Sequence, residues 1–391
     1  MPTKAKAPPE ITVSWAQIAS LRLARQHVVD RLPTDRLLDV VREHVGIQAQ
    51  VMGLAELQLN ARIDGLRPDD VRDALWTHRT LVKTWAMRGT LHLIASDDIA
   101  AFVAAAPTRR VATTDAWLKY FEVTKDELDT IFRTVDATLD GRPRTRAELI
   151  DAVRDATKRP DLAAKLQSGW GAFLKPSAGR GTLVFGPDRG RNVTFVDPQD
   201  WLGKPVRPTG ADRPDPNEAL GRLVERFLRL FPGADVPGIG RWWGSRYTMR
   251  KAIHAAGLDL VNIDIEGTAG LALRSDVKEL SASKPFTGVR LLPGFDAYVN
   301  DLPRRVDALM PVDRHADVHR VAGWVSPVVI VDGRVAGTWE LASGKRGGIS
   351  VQAFSRWRGG ARQQLAAEAN RIAAFVDRPL TVSIEAPKTR D

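Results

Sequence analysis

Apolar residues recur along the first part of the chain at helical spacing and then change to a strand-like pattern. Trp15, Ile18 and Ala19 share one face of a predicted helix, and Gly46 suits the C-terminal end of a later one. Helical stretches are predicted at residues 14–27, 37–45, 54–63 and 71–76. Residues 80–94 then carry β-branched and aromatic side chains around an Arg-Gly pair, which predicts a β-hairpin. Segment 11–118 is therefore predicted to consist of helices followed by a two-stranded wing.

The same order of helices followed by a hairpin occurs twice more. In segment 119–210, Thr124 and Thr145 each stand three positions before a glutamate, the capping-box pattern that opens a helix. Segment 211–284 follows a linker at 205–216 that is rich in proline and arginine. The two further hairpins are predicted at 182–196 and 259–274. Three tandem winged-helix units are the predicted arrangement, and the alternative is a generic α+β protein with three hairpins.

The remainder of the chain, residues 285–391, is predicted to be mostly β. Four strand-like stretches occur, and Asp332-Gly333 between two of them indicates a type I′ hairpin turn. A helix is predicted at 361–376 and a last strand at 380–384. The predicted fold class is thus α+β: three tandem winged-helix units followed by a small C-terminal β-barrel or sheet with one helix.

Composition narrows the possible chemistry. The chain has no cysteine, which excludes disulfides, thiolate nucleophiles and cysteine-ligated zinc. His315 and His319 are four residues apart, but a surface pair is favoured over a metal site, and no cofactor is predicted. No apolar run approaches the roughly 18–20 residues that span a bilayer, and the N-terminus lacks the apolar core of a secretory signal. A cytoplasmic, nucleoid-associated protein without a membrane partner is expected.

The balance of charge points toward nucleic acid. The net charge is +10, and arginine, which pairs with phosphate in a bidentate manner, supplies most of the positive charge. A basic surface of this kind attracts nucleic acid independently of sequence. The alternative is that the charge serves solubility or reflects a compositional bias toward arginine.

Gln48 and Gln50 are the candidate catalytic residues. Side chains two positions apart in an extended stretch point to the same side, so both amides can address one small object. Each amide can donate and accept hydrogen bonds, so the pair can hold a single water. The alternative is that the two glutamines only cap the helix predicted to begin near Leu54.

Polar side chains on the predicted hairpins are candidates for contacts to DNA. The candidates are Lys83, Arg88, Thr90, His92, Arg189, Arg191 and Arg334. Arg88, Thr90 and His92 are predicted to share one face of a strand, while the leucines between them face the core. The alternatives are that Trp85 is a core residue, that His92 binds a backbone carbonyl, and that Arg334 belongs to an ordinary surface turn.

Six short strings, taken in order, make the chain resemble the winged-helix DNA glycosylases of the AlkZ and YcaQ type over nearly its whole length. The strings are 46–50 (GIQAQ), 87–93 (MRGTLHL), 241–244 (RWWG), 291–296 (LLPGFD), 323–325 (GWV) and 331–339 (VDGRVAGTW). The resemblance implies tandem winged helices and a C-terminal β-barrel that form a basic concave surface around DNA. It also implies excision of N-alkylated purines, including crosslinked guanines. The catalytic motif is Gln-x-Gln in the AlkZ branch and Gln-x-Asp in the YcaQ branch, so Gln48 and Gln50 place this chain nearer AlkZ.

The resulting hypothesis is a monofunctional DNA glycosylase for cationic N7- or N3-alkylpurines. Such a base leaves without protonation, so a water positioned by Gln48 and Gln50 can suffice without a general acid. No lysine stands out as a Schiff-base nucleophile, so lyase activity is not predicted. Asp296 is expected either to support the site or to serve as a helix cap or turn residue. The expected partner of this predicted monomer is duplex DNA with alkylated bases; the alternative function is a non-catalytic DNA-binding protein, either a regulator or a damage-binding scaffold.

Overall fold

The structure, a computed structural model, divides the chain into two compact units. It describes residues 8–109, 114–167, 171–208, 210, 213–245, 247–303, 306–342, 347–357, 359–385 and 387. The first unit comprises Met1–Val71, Glu225–Ile239 and Leu258–Asp391, and the second comprises Arg72–Val224 and Gly240–Gly257. This division is coarser than the four predicted segments 11–118, 119–210, 211–284 and 285–391, whose boundaries stay a prediction. Residues 209, 211 and 212 of the predicted linker lie outside the described residues.

The N-terminal part of the first unit alternates helices with two short strands. Its elements are β1 (Ile11–Val13), α1 (Trp15–Arg25), α2 (Leu37–Glu43), β2 (Ile47–Gln48) and α3 (Met52–Asn60). Helix α1 begins with a capping box in which the Ser14 hydroxyl accepts from the Gln17 backbone N–H, and the Gln17 side chain accepts from that of Ser14. Its apolar face, with Ile18 and Leu23, lies fully buried in the core of this unit. The next helix is α4 (Pro68–Arg72).

The second unit contains two hairpins and most of the remaining helices. In chain order the elements are β3 (Leu81–Trp85), β4 (Leu91–Ala95), α5 (Ile99–Ala105), α6 (Asp115–Phe121), α7 (Lys125–Thr138), β5 (Arg144–Thr145), α8 (Arg146–Thr157), α9 (Pro160–Ala164), α10 (Lys175–Arg180), β6 (Val184–Arg189), β7 (Asn192–Val196) and α11 (Pro198–Leu202). Both predicted capping boxes are confirmed, at Thr124 opening α7 and at Thr145 opening α8. Strand β5 pairs with β7 and makes the second hairpin three-stranded. Leu128, Leu149 and Phe195 are fully buried in the core of this unit.

Helices then lead into the third hairpin and the C-terminal sheet. The elements are α12 (Pro216–Leu230), α13 (Val236–Trp243), α14 (Met249–Ala255), β8 (Leu260–Ile265), β9 (Thr268–Leu273), α15 (Val277–Ala282), β10 (Val289–Leu292), α16 (Ala297–Asn300), α17 (His315–Val318), β11 (Val328–Val331), β12 (Arg334–Leu341), β13 (Gly348–Ala353), α18 (Ala361–Phe375) and β14 (Thr381–Glu385). Within the first unit, β1 adds to the β8–β9 hairpin as a parallel strand. Strands β10 to β14 form a sheet in chain order, antiparallel except for the parallel β13–β14 pair. Asp332 and Gly333 both have positive φ, which confirms the predicted type I′ turn.

Three predicted features of the fold have different outcomes. The three hairpins are confirmed, at β3–β4, β6–β7 and β8–β9. The barrel is a correction: in the described residues the C-terminal strands form an open sheet, because β10 and β14 do not pair. The tandem winged-helix arrangement stays a prediction within a fold of mixed helices and strands. No helix in the described part of the chain has the length and apolar character needed to cross a membrane.

Candidate active site

Gln48 and Gln50 lie on a short segment of the first unit between α2 and α3, with Gln48 at the end of β2 and Gln50 in the bend that follows. The backbone enters this segment through Val45 and Gly46, both with positive φ, after the turn that ends α2. Ile47 and Ala49 are fully buried, whereas Gln48 is half-buried and Gln50 is exposed. Burial therefore alternates along residues 47–50, but strand β2 ends at Gln48 and Gln50 lies in a bend, so the common direction of the two side chains stays a prediction.

The helix-capping alternative does not describe this geometry. Helix α3 begins at Met52, and its N-cap position is taken by Val51, which makes no capping hydrogen bond through its side chain. Neither glutamine occupies the position from which N-cap residues bind the first turn.

Gln48 is held at its backbone and at its side chain. Its backbone carbonyl accepts a hydrogen bond from Gln58 Nε2 at 3.1 Å. Its side-chain Oε1 accepts one from Asn300 Nδ2 at 2.7 Å. Gln58 lies on α3 and Asn300 is the last residue of α16, so two elements of the same unit fix this residue.

Arg62 stands behind these contacts as a fully buried cation. Its two NH groups bind Asp296 in a bidentate manner, at 2.7 and 2.9 Å, and both side chains have no solvent exposure. Arg62 also donates to the Gln58 backbone carbonyl, to His44 Nε2 and to Gln26 Oε1. All five N–H donors of a guanidinium are thus matched by acceptors, as burial of this charge requires.

The carboxylate of Asp296 combines the two roles considered for it from sequence. Asp296 is the N-cap of α16, where its side chain accepts from the Tyr298 backbone N–H at 3.0 Å. Through Arg62 it is also joined to the residues that hold Gln48. Because its oxygens accept these three hydrogen bonds and are fully buried, Asp296 serves here as an anchor.

His44 keeps this buried network neutral apart from the ion pair. Its Nδ1 lies 2.8 Å from the Val40 carbonyl and its Nε2 accepts from Arg62, which defines the neutral tautomer with the proton on Nδ1. Burial and the neighbouring Arg62 charge hold the pKa of His44 well below its usual range.

In the second unit, the first hairpin differs from the predicted distribution of its polar residues. Arg88 has positive φ in the turn between β3 and β4, so it does not lie on a strand with His92. His92 is only 2% exposed, and its Nδ1 lies 2.9 Å from the Thr90 carbonyl. Trp85 is a core residue that packs on Phe185. The predicted shared face is therefore wrong, because both faces of β4 are covered.

The basic candidates retain partial exposure in their own units. In the second unit, Lys83 lies over the Phe185 ring, and Arg88 donates to the Trp242 carbonyl at 3.4 Å. Arg189 pairs with Glu148 at 3.0 Å, and Arg191 is exposed in the following turn. In the first unit, the exposed Arg334 pairs with Asp307 at 2.7 Å.

His92 leads to a prediction about stability and pH. Burial lowers the pKa of His92 from 6.5 to about 3, so the unfolded chain takes up this proton first when the pH falls. Stability linked to His92 is therefore present above pH 6.5 and is lost as the pH falls toward 3, by about 1.4 kcal/mol per pH unit. Urea unfolding at about pH 7, 6 and 5 is expected to show a shallower loss in His92→Gln than in the original chain.

The exposed His254→Gln provides the matched control and is expected to leave the slope unchanged. Equal slopes for His92→Gln and the original chain would contradict the buried, neutral state of His92.

Sequence reasoning did not identify Gln58, Arg62 and Asn300. A weak signal existed: Gln58, on α3, and Arg62, two residues beyond its end, are four positions apart, and both side chains are buried. Asn300 follows Asp296 by one helical turn, but its pairing with Gln48 spans 252 residues. Separation of this size leaves no local pattern.

Comparison with known proteins assigns the family. A family model described as "DNA glycosylase AlkZ-like" matches residues 41–375. The chain belongs to the AlkZ-like DNA glycosylase family. The "Interstrand DNA cross-link repair glycosylase" of Streptomyces sahachiroi is 33% identical over 332 residues, which cover 84% of this chain and 88% of that relative. The solved structure of Streptomyces sahachiroi DNA glycosylase AlkZ matches with a TM-score of 0.86 and 31% identity, over 96% of this chain and all of that one.

Family membership confirms the resemblance expected from sequence and supports glycosylase activity on DNA. Within the described residues, no group of three or more histidines, aspartates and glutamates could hold a metal ion.

Proposed function

We propose that this chain hydrolyses the N-glycosidic bond of N7- or N3-alkylated purines in duplex DNA, including purines joined in interstrand crosslinks. The observation that carries the proposal is the pair Gln48 and Gln50, with the Gln48 amide held at 2.7 Å by Asn300, in a member of a DNA glycosylase family. The name of the Streptomyces relative supports the extension to crosslinks.

The chemistry of the leaving group makes a neutral site sufficient. An N7- or N3-alkylpurine is already cationic, so the electron pair of the breaking C1′–N9 bond neutralises it as it departs. Water attacks the oxocarbenium-like C1′, its oxygen forms the new C–O bond, and its proton passes to solvent. Gln48 and Gln50 hold that water and orient it, and positioning of this kind can contribute several kcal/mol.

The same argument gives selectivity. A normal purine leaves as an anion unless an acid protonates it, and an amide cannot supply that proton at neutral pH. Among the described residues, the carboxylate tied to this network is that of Asp296, which is held by Arg62 and is fully buried. Undamaged purines are therefore spared, and the enzyme acts as a monofunctional glycosylase with water as its nucleophile.

Contacts to the DNA backbone come from the basic side chains of the hairpins. Lys83, Arg88 and Arg191 are proposed to bind phosphates directly. Arg189 and Arg334 are exposed ion pairs, worth about 0–1 kcal/mol, so they can exchange a carboxylate for a phosphate at little cost. Thr90 and His92 contribute by shaping the turn that carries Arg88, since Thr90 also bonds the Met87 carbonyl.

Release of the base from duplex DNA containing N7-methylguanine tests the proposal. The original chain is expected to release the base well above the spontaneous rate, and Gln48→Ala/Gln50→Ala to fall close to it while still binding DNA. A duplex crosslinked through guanine N7 atoms forms a second arm, in which strand separation reports unhooking. Release at the spontaneous rate, together with salt-dependent DNA binding, would overturn the proposal and favour a non-catalytic DNA-binding protein.

A further inference from the structure

We infer that Asn300 is a positioning residue that fixes the orientation of the Gln48 amide, so that Gln48 acts as a donor and Gln50 as an acceptor toward the nucleophilic water. The inference rests on the proposed function, because it assigns each amide a direction within that reaction. It concerns Asn300 and Gln48, both in the first unit.

The backbone carbonyl of Phe295 determines the orientation of both amides. A carbonyl oxygen can only accept, and the Asn300 atom that faces it at 3.3 Å must therefore be the NH2 group. The same nitrogen lies 2.7 Å from the Gln48 side chain, and the atom that receives this second hydrogen bond must be Oε1. The direction of the Gln48 amide thus follows from a group that cannot be reversed.

This direction assigns different roles to the two glutamines. The Oε1 end of Gln48 is turned toward Asn300, so the Nε2 end lies on the opposite side of the planar amide. An N–H donor can bind one lone pair of a water while the second lone pair points at C1′. The water then needs an acceptor for one of its protons, and the exposed Gln50 can supply Oε1.

Asn300 is itself held in place by the buried ion pair. Its backbone N–H donates to the Asp296 carbonyl at 2.9 Å, so the first turn of α16 sets its position. Asp296 is bound by Arg62, which also binds the backbone carbonyl of Gln58. Both contacts to Gln48, from Asn300 and from Gln58, therefore converge on one arginine.

The isosteric change Asn300→Asp tests the inference. An ionised carboxylate cannot donate to Gln48 Oε1 and accepts from Nε2 instead, which turns the amide over. The single-turnover rate of base release from N7-methylguanine duplex DNA is expected to fall about 10- to 100-fold, because loss of about 1 Å of alignment of a reacting group costs up to about 100-fold. The dissociation constant for DNA is expected to stay within about threefold, because the change concerns one side chain behind Gln48.

Two further variants distinguish the loss of the Asn300 hydrogen-bond donor from the effects of side-chain shape and of added negative charge. Asn300→Ser restores a donor in a shorter side chain and is expected to retain more activity than Asn300→Asp. Asn262→Asp makes the same change of charge at an exposed position of β8 in the same unit, and its rate is expected to equal that of the original chain. A purely structural role predicts that Asn300→Asp, which keeps the shape, also retains the full rate.

A spectroscopic measurement adds a result that does not depend on activity. In protein labelled with ¹⁵N-glutamine, the side-chain NH2 signal of Gln48, assigned by its loss in Gln48→Ala, is expected to move downfield in Asn300→Asp. A full rate in Asn300→Asp, or an unmoved Gln48 signal, overturns the inference while the proposed function stands. Absence of base release by the original chain instead overturns the proposed function itself.

Discussion

The change Gln48→Ala is expected to lower the single-turnover rate of base release from N7-methylguanine DNA about 100-fold. The rate falls because the water loses one of its two amide partners, and loss of a single positioned donor or of about 1 Å of alignment costs on the order of 100-fold. The dissociation constant for DNA is expected to change less than about threefold, since the positive charge that binds phosphate is untouched. Rapid-quench measurement of released base, with binding measured by fluorescence anisotropy, separates the two quantities.

Two comparisons make this result specific to the site. Gln363→Ala removes an exposed glutamine from α18 in the same unit and is expected to leave the rate unchanged. Gln50→Ala is expected to match Gln48→Ala in rate, because in the proposed reaction the two amides bind the same water. A Gln48→Ala rate within about twofold of the original would contradict a direct role for this residue and return the segment to a structural one.

Local chemistry explains which parts of the fold were predictable. The capping boxes at Thr124 and Thr145 join residues three apart, and the type I′ turn at Asp332 and Gly333 depends on two adjacent residues. Likewise, the alternation of buried and accessible residues from Ile47 to Gln50 follows from local backbone geometry. Each of these features is decided within a few residues, so the sequence pattern carries it.

The buried residues that hold the candidate site in place could not be predicted from a local sequence pattern. The ion pair of Arg62 with Asp296 joins residues 234 apart. A single arginine or aspartate in a sequence looks like a surface residue, since charged side chains are rarely fully buried without a partner. Only the folded chain brings Arg62 and Asp296 together and makes each one the reason that the other can be buried.

The predicted distribution of polar side chains on the first hairpin was wrong for a related reason. Alternation along β4 was taken to separate a core face from a polar face, but His92 and Leu93 are both buried. A strand with one solvated face alternates, whereas a strand covered on both faces does not need to. Local alternation therefore located the strand correctly and misjudged which of its side chains reach solvent.

The candidate site thus combines two uncharged glutamine side chains with a buried ion pair behind them. The two glutamines are uncharged, which suffices for departure of a cationic base in the proposed reaction, while the charges of Arg62 and Asp296 neutralise one another out of contact with water. This arrangement holds Gln48 through Asn300, while the Asp296 carboxylate stays fully buried and bound to Arg62. It also makes the geometry of Gln48 depend on the integrity of one buried pair.

The change Asp296→Asn is accordingly expected to lower the free energy of unfolding by about 3–5 kcal/mol, the range for breaking one partner of a buried ion pair. The substituted amide keeps the shape of the side chain but leaves Arg62 as an uncompensated charge with no solvent exposure. It also turns an NH2 group toward donors that need acceptors. Equilibrium unfolding in urea, followed by tryptophan fluorescence and circular dichroism, measures the loss.

Asp307→Asn is the matched control, because it removes the same charge from the exposed pair with Arg334, where Asp307 is 69% exposed. A change of at most about 1 kcal/mol is expected there. The double variant Arg62→Met/Asp296→Leu removes both charges together and is expected to be less destabilised than the sum of its single changes, since no charge is left alone. A loss for Asp296→Asn no larger than that for Asp307→Asn would contradict the buried pair as the anchor of α16, and with it the physical basis for the fixed orientation of Gln48.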